Sequence, residues 1–347
     1  MADTIPIAQF LARSETVPVV DVRSPSEFGQ GHIPGAVNVP LFDDEERKVV
    51  GTRYKKINRE AATLSALEFA GRKLAPMARE GERIAGANRE LLVHCWRGGM
   101  RSKSMAWLFE TLGIRCFILE GGYKAYRRHL REILATPFRF IVIGGKTGSG
   151  KTALLHHLRQ EGQQVADLER LACHKGSAFG SLGEAGQPTT EQFENDLHRE
   201  LSRLDPSRVT WIEDESRNIG RCVIPEEVYF QMMAAEVIFL DIPREERARY
   251  LVEHYASYDA GQLKSCILKI EKRLGGTRTR EALDAVDRKD FFLAVMISLQ
   301  YYDKSYLYSL EKNHGQYAVV PSHTVDPAIN SELIQSSLRM NHERTPE

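Results

Sequence analysis

Two glycine-rich turns in this 347-residue chain have the residue types to grip an anion, one built around a thiol and one around a lysine. The first lies in LLVHCWRGGMRSKS, Leu91 to Ser104, where Cys95 leaves a short apolar run and five residues separate it from Arg101. In such a loop successive N–H groups converge on an oxyanion while an arginine clamps it with two parallel hydrogen bonds. The same surroundings lower a thiol pKa from about 8.5 into the range of roughly 3.5–7.5, so Cys95 is expected to be reactive. Arg97 joins Arg101 as a cation, and Trp96, Gly98, Gly99, Met100 and Ser102 complete the cradle. Cys116, Cys173, Cys222 and Cys266 lack such neighbours and are expected to be ordinary buried thiols.

The second turn, Gly145-Lys146-Thr147-Gly148-Ser149-Gly150-Lys151-Thr152, fills the pattern G-x-x-x-x-G-K-[ST] between the apolar run FIVIGG and the helical LLHHL. A strand before and a helix after are the conditions that make this pattern a phosphate-binding P-loop. Glycines let backbone N–H groups point at phosphate oxygens, the helix start adds partial positive charge, and Lys151 reaches the terminal phosphate. Which phosphate is bound stays open at this level, and ATP is not assumed. Trp211 to Glu215 offers Glu213, Asp214 and Glu215 either as metal-positioning carboxylates at a strand end or as a solvated acidic turn. The glycine-rich segment 174–195, with Ser177, Gly180, Gly183 and Gly186, is expected to be a long functional loop rather than packed structure. FLDIPREERARY (239–250) is similar to the segment preceding the lid of small P-loop kinases. Any one of its Arg244, Arg247 and Arg249 is expected to be helix-surface charge, with a lid arginine as the alternative.

Elements to carry these turns alternate along the chain. Strand candidates at 17–22, 36–40, 91–95 and 115–122 are separated by amphipathic stretches such as 103–113, with apolar residues three and four apart. A basic helical stretch, 123–137, ends in proline before a new strand begins, which places a domain boundary between 135 and 136. Beyond it, 209–215 and 235–243 are candidate buried strands ending in carboxylates. Alternating β and α elements in both halves predict an α/β class with parallel sheets.

Bulk composition excludes more than it selects. The scattered cysteines form no C-x-x-C pair and no Cys/His metal spacing, so reduced thiols in a cytoplasmic protein are expected. No signal peptide or membrane span is expected from the apolar pattern. Net charge is zero, so a nucleic-acid partner would have to meet local patches. Three basic stretches qualify: 53–59, with Arg53, Lys55 and Lys56; 123–131, with Arg127 and Arg128; and 269–280.

Upstream of Cys95, DVRSPSEFGQGHIPGAVNVP (21–40) resembles the rhodanese signature, and LEGGYKAY (119–126) resembles its closing segment with Tyr126 at the tryptophan position. Common rhodaneses hold four residues between Cys and Arg, whereas the cysteine phosphatases that share their fold hold five, as here. The loop offers no carboxylate to act as the general acid a phosphatase needs. The rhodanese signature, CWRGGMRS, GGKTGSGKT, GSAFG and WIEDESRNIG together resemble the tRNA 2-selenouridine synthase family across nearly the whole chain. The resemblance implies an N-terminal rhodanese-like domain (1–135) joined to a C-terminal P-loop NTPase-like domain with a parallel sheet (136–347). It implies action on 2-thiouridine at the wobble position of Lys, Glu and Gln tRNAs, by S-geranylation from geranyl diphosphate and then selenation with selenophosphate. The P-loop would hold the departing diphosphate, with Mg²⁺ a candidate ion and no tightly bound cofactor. Cys95 would carry selenium as a selanyl group while Arg97 and Arg101 hold the phosphate. Ser177, Phe179, Gly180, Glu213, Asp214, Glu215 and Arg217 form a candidate substrate loop. Residues 57–71 and the stretch around Gly186-Gln187-Pro188 depart from the family pattern. The rival readings are a cysteine phosphatase fused to a small-molecule P-loop kinase and a non-catalytic sulfur-binding module.

Overall fold

A computed structural model describes residues 2–343, and the chain divides into two compact units between Ile133 and Leu134. The first unit is built on a parallel five-stranded sheet: β1 (Asp3–Ile5), β2 (Val19–Asp21), β3 (Val37–Asn38), β4 (Glu90–His94) and β5 (Arg115–Leu119), in the order β1-β5-β4-β2-β3. β2, β4 and β5 are apolar runs buried almost end to end, as strands covered on both faces must be. Helices α1 (Ile7–Ser14), α2 (Pro25–Gln30), α3 (Asp44–Lys56), α4 (Arg59–Gly71), α5 (Leu74–Ala85), α6 (Met100–Glu110) and α7 (Gly122–Leu134) complete the unit. The core joins Val20, Leu91 and Val93 of the sheet to Met105 and Phe109 of α6.

Residues 57–71, the stretch that departs from the family pattern, fold into an ordinary helix. Asn58 caps α4 by accepting from Ala61 N at 2.8 Å, and Arg53 of α3 donates to Ser65 across the hairpin. β2, β3 and β5 are shorter than the stretches 17–22, 36–40 and 115–122 suggest, whereas β4 keeps the expected length one residue earlier than 91–95.

The second unit carries another parallel sheet of five: β6 (Arg139–Gly145), β7 (Gln164–Ala166), β8 (Val209–Glu213), β11 (Glu236–Asp241) and β12 (Ala318–Pro321), ordered β12-β11-β6-β8-β7. A small antiparallel pair, β9 (Asn218–Ile219) with β10 (Cys222–Val223), lies apart from it. Around the sheet are α8 (Lys151–Gln160), α9 (Leu168–Ala172), α10 (Thr190–Leu201), α11 (Glu226–Ala234), α12 (Arg244–Tyr255) and α17 (Pro327–Glu343). Four further helices, α13 (Ala260–Lys269), α14 (Glu271–Leu274), α15 (Gly276–Asp287) and α16 (Phe291–His314), pack around their own apolar cluster of Leu263, Ile267, Ala282 and Ala294. Both anion turns follow central strands, β4 and β6, at their carboxyl ends. That is where parallel sheets open the crevices that hold ligands.

Candidate functional site

The Cys95 turn runs from the end of β4 to the start of α6 and is shaped by what backs it. Tyr123 N donates to Cys95 O at 2.8 Å and Lys124 N to Trp96 O at 3.0 Å, so the loop carbonyls are taken up by α7. Gly98 sits at φ +65°, and a Cβ there would stand 2.6 Å from Leu119 O, so the close approach demands glycine. Cys95 is 3% exposed, and Ser102 Oγ lies 3.4 Å from its Sγ. Burial alone would push the thiol up. The Ser102 hydroxyl, the Arg101 guanidinium and the N–H groups of Arg97 and Ser102 outweigh it and hold Cys95 below the ordinary thiol range. Cys116 and Cys222 show the contrast, since burial pushes them up to about 12 and about 11. Of the other cysteines expected to be buried, Cys116, Cys222 and Cys266 are so, whereas Cys173 is half-buried at the left-handed end of α9.

Arg97 and Arg101, both expected to clamp the phosphate, point to different surroundings. Arg101 Nη1 donates to Glu27 Oε2 at 2.6 Å and Nη2 to Oε1 at 3.3 Å, which presets the guanidinium beside the thiol. Arg97 instead lines a recess with Gly121, Lys124, Ala125 and Arg128. Glu27 belongs to the SEF of the upstream signature and had no role assigned from sequence. Burial would raise its pKa, but the Arg101 bonds and charge prevail and hold it below the usual carboxylate range. Both of its carboxylate oxygens accept from Arg101, so Glu27 is placed as a clamp on that guanidinium rather than as a phosphatase's proton donor. The rest of that signature is a frame beneath the loop. Arg23 grips Asp21 through Nε and Nη2 at 2.9 and 2.6 Å, donates to Gly31 O at 2.7 Å and lies 3.8 Å from the centre of the Tyr123 ring. His94 is fully buried 3.7 Å from Asp21, and its burial lowers its pKa.

In the second unit the turn after β6 curls at Gly148 (φ +86°) and Gly150 (φ +72°), and Lys151 Nζ donates to Gly145 O at 2.9 Å. Arg247 was expected on a helix surface and is instead 1% exposed. Its guanidinium holds Asp303 at 2.8 and 2.9 Å and donates to Thr147 O at 2.9 Å, tying the turn to α16. Arg244 also reaches Asp303 at 2.9 Å, and only Arg249 of the three is a surface charge, paired with Glu246.

The stretch 213–215 is no solvated turn. Glu213 is 1% exposed, accepting from Glu169 N at 2.7 Å through Oε1. Asp214 accepts from Tyr306 Oη at 2.7 Å and lies 3.3 Å from His314 Nε2, while Tyr306 Oη accepts from Gly145 N at 2.8 Å. Burial would raise Asp214, but those two partners and Lys151 hold it low. Burial and neighbouring carboxylates push Glu213 and Glu215 well up. Thr152 Oγ1 donates to Glu169 Oε2 at 2.7 Å. Glu169, Tyr306 and Asp303 carried no local sequence signal, and Arg217 pairs at 3.7 Å with Glu226 on an exposed edge.

The P-loop opens into a cavity of about 1020 Å³. Gly145, Thr147 to Thr152, Glu169, Asp214 and Glu215 line its polar part, and Leu263, Ile267, Val286, Phe291, Ala294 and Leu299 its apolar part. The loop expected to be unpacked over 174–195 ends at Thr190, where α10 begins. It forms a wall of this chamber: Ser177 and Phe179 line it, Leu182 is buried in the α13–α16 core, and Ala178 N donates to Tyr302 Oη at 3.2 Å. Gly180 closes the loop on itself by accepting from Lys175 N at 3.0 Å. Part of the basic stretch 269–280 also faces inward, since Lys269, Lys272 and Arg273 line the cavity.

A buried-thiol anion loop on one parallel sheet and a P-loop on another define a two-unit α/β protein joining rhodanese-like and P-loop architecture. Residues 7–129 match the rhodanese-like domain, and residues 138–326 match the family described as tRNA 2-selenouridine synthase AAA domain. A tRNA 2-selenouridine synthase of Bdellovibrio bacteriovorus is 34% identical over 86% of this chain and 90% of its own length. One of Sulfurovum sp. is 35% identical over 85% and 89%, and one of Aeromonas salmonicida 34% over 88% and 91%. The chain belongs to the tRNA 2-selenouridine synthase family.

Proposed function

We propose that this chain converts 2-thiouridine at the tRNA wobble position to 2-selenouridine in two stages, each using one anion turn. In the first, the thiouridine sulfur attacks the diphosphate-bearing carbon of geranyl diphosphate. The C–O bond breaks, diphosphate leaves into the P-loop, and the base loses its N3 proton. The observation that carries this reading is the cavity. A phosphate-gripping turn opens directly onto apolar side chains from α13, α15 and α16, which suit a hydrocarbon tail rather than a purine and ribose. Lys151, Thr152 and the N–H groups of residues 148–150 would stabilise the charge that grows on the leaving group. Mg²⁺ fits the hard oxygens of Thr152 and Glu169 and would add positive charge there. Phosphate oxygens would have to complete its shell, because among the described residues no three His, Cys, Asp or Glu side chains converge on a metal site.

In the second stage the Cys95 loop takes selenophosphate, with Arg101 and the loop N–H groups on the phosphate and Cys95 beside the selenium. Selenium, kept at the selenide level, displaces the geranylthio group at C2 of the base while the P–Se bond breaks and water takes the phosphoryl group, so geranylthiol and phosphate are the other products. The tRNAs are those for Lys, Glu and Gln, and Arg53, Lys55, Lys56, Arg127 and Arg128 are candidate contacts. No helix among the described residues is long and apolar enough to cross a membrane. The test is calorimetric binding of geranyl diphosphate and of ATP to the full chain. Tighter binding of geranyl diphosphate is expected; preferential ATP binding with coupled hydrolysis would favour the kinase–phosphatase reading.

A further inference from the structure

The outer side of the Cys95 loop carries a basic surface that takes part in neither bond-making step. Arg97, Lys124 and Arg128 line an open recess of about 420 Å³ with Gly121 and Ala125 and no acidic residue. All three cations are exposed, and none makes an ion pair or side-chain hydrogen bond among the described residues. Elsewhere in this unit the arginines near the site are locked: Arg23 to Asp21, Arg101 to Glu27. Lys124 and Arg128 stand four apart on α7, where like charges repel. A fold gains nothing from gathering three unpaired cations, so the arrangement points to an anionic partner.

The recess adjoins an exposed aromatic. Trp96, next to Cys95, is 38% exposed. Its other side is braced by the buried Tyr123 ring at 5.8 Å, with Arg23 stacked on Tyr123 in turn. Because Trp96 O accepts from Lys124 N at 3.0 Å, the indole and the cations belong to one rigid frame. Cations along a groove with an aromatic face beside them are the composition that binds unpaired nucleotides, whose bases stack while the phosphates are neutralised. A free phosphate would have no use for the indole.

We propose that Trp96, Arg97, Lys124 and Arg128 form a dock for single-stranded RNA at the rim of the Cys95 loop, Trp96 stacking on a base and the cations holding flanking phosphodiesters. The proposal rests on the RNA-modifying function above and selects α7 over the 53–59 stretch as the main contact of this unit.

The test is anisotropy of a labelled anticodon stem-loop with the full chain over a series of salt concentrations. Arg97→Gln, Lys124→Gln and Arg128→Gln are each expected to weaken binding and to lower the slope of log K on log salt by about 0.7–0.9. Trp96→Ala is expected to weaken binding roughly 5- to 150-fold with the slope unchanged, and Trp96→Phe to retain most of the affinity. Arg83→Gln, an exposed arginine on α5 paired with Glu80, should leave both quantities alone. Wild-type slopes in the recess variants, or wild-type affinity in Trp96→Ala, would overturn the dock. So would a loss confined to binding of inorganic phosphate. The function itself fails in a different way, if the wild-type chain neither binds nor modifies thiouridine-bearing RNA.

Discussion

Replacing Ser102 by alanine probes how the fold prepares its thiol. The Ser102 hydroxyl is 3.4 Å from Cys95 Sγ and 3.0 Å from Gly99 O, and its single proton can serve one acceptor at a time. With the thiol neutral the proton goes to Gly99; with the thiolate it turns to sulfur. A hydrogen bond to a charged group contributes about 1.5–3 kcal/mol and the surrendered neutral one about 0.5–1.5. The net preference for thiolate is therefore roughly 1–1.5 kcal/mol, or about one pKa unit at 1.36 kcal/mol per unit. Ser102→Ala should raise the Cys95 pKa by about that much. The assay is the pH dependence of alkylation by iodoacetamide, with Cys95→Ala subtracted as blank; Cys116 and Cys222 are buried and pushed up, so they contribute little. The midpoint is the readout rather than one rate. A tenfold loss of thiolate is offset about threefold by the greater nucleophilicity of the more basic sulfur. A midpoint that stays put, with the variant folded, would refute the assignment of Ser102 as the thiolate's partner.

Asp303→Ala should cost about 3–5 kcal/mol by stranding the buried Arg247 guanidinium, seen as a fall in melting temperature of about 6–20 °C. An unchanged melt would show that the tie between α16 and the P-loop is not needed. Ala294→Phe fills the apolar part of the cavity. It should weaken geranyl diphosphate binding at least tenfold while inorganic diphosphate binds as before, measured by calorimetry. Lys151→Ala should abolish geranylation of thiouridine-bearing tRNA, read by mass spectrometry of digested product.

What the residues told in advance, and what they withheld, follows from how local each signal is. Both anion turns are made by consecutive backbone groups, so the glycines, Cys95 and Lys151 announce them within a dozen residues. Partners brought from afar leave no such trace. Tyr306 reaches Gly145 across 161 positions and Asp214 across 92, and Arg247 reads as surface charge until Asp303 arrives to bury it. Glu27 stood in a quoted motif, yet its pairing with Arg101, 74 residues on, gives that motif a reason. The apolar wall of the cavity was hidden for another cause. Its residues on α13–α16 carry the same pattern as any helical core, and only their facing the P-loop makes them a chamber.

The division of labour between the two turns is tested most directly in tRNA from cells whose only copy of this chain carries Cys95→Ala. Digestion and mass spectrometry should show 2-geranylthiouridine accumulating and 2-selenouridine absent. Continued 2-selenouridine in that tRNA, or no geranylated nucleoside at all, would contradict the assignment of selenation to Cys95 and of geranylation to the P-loop.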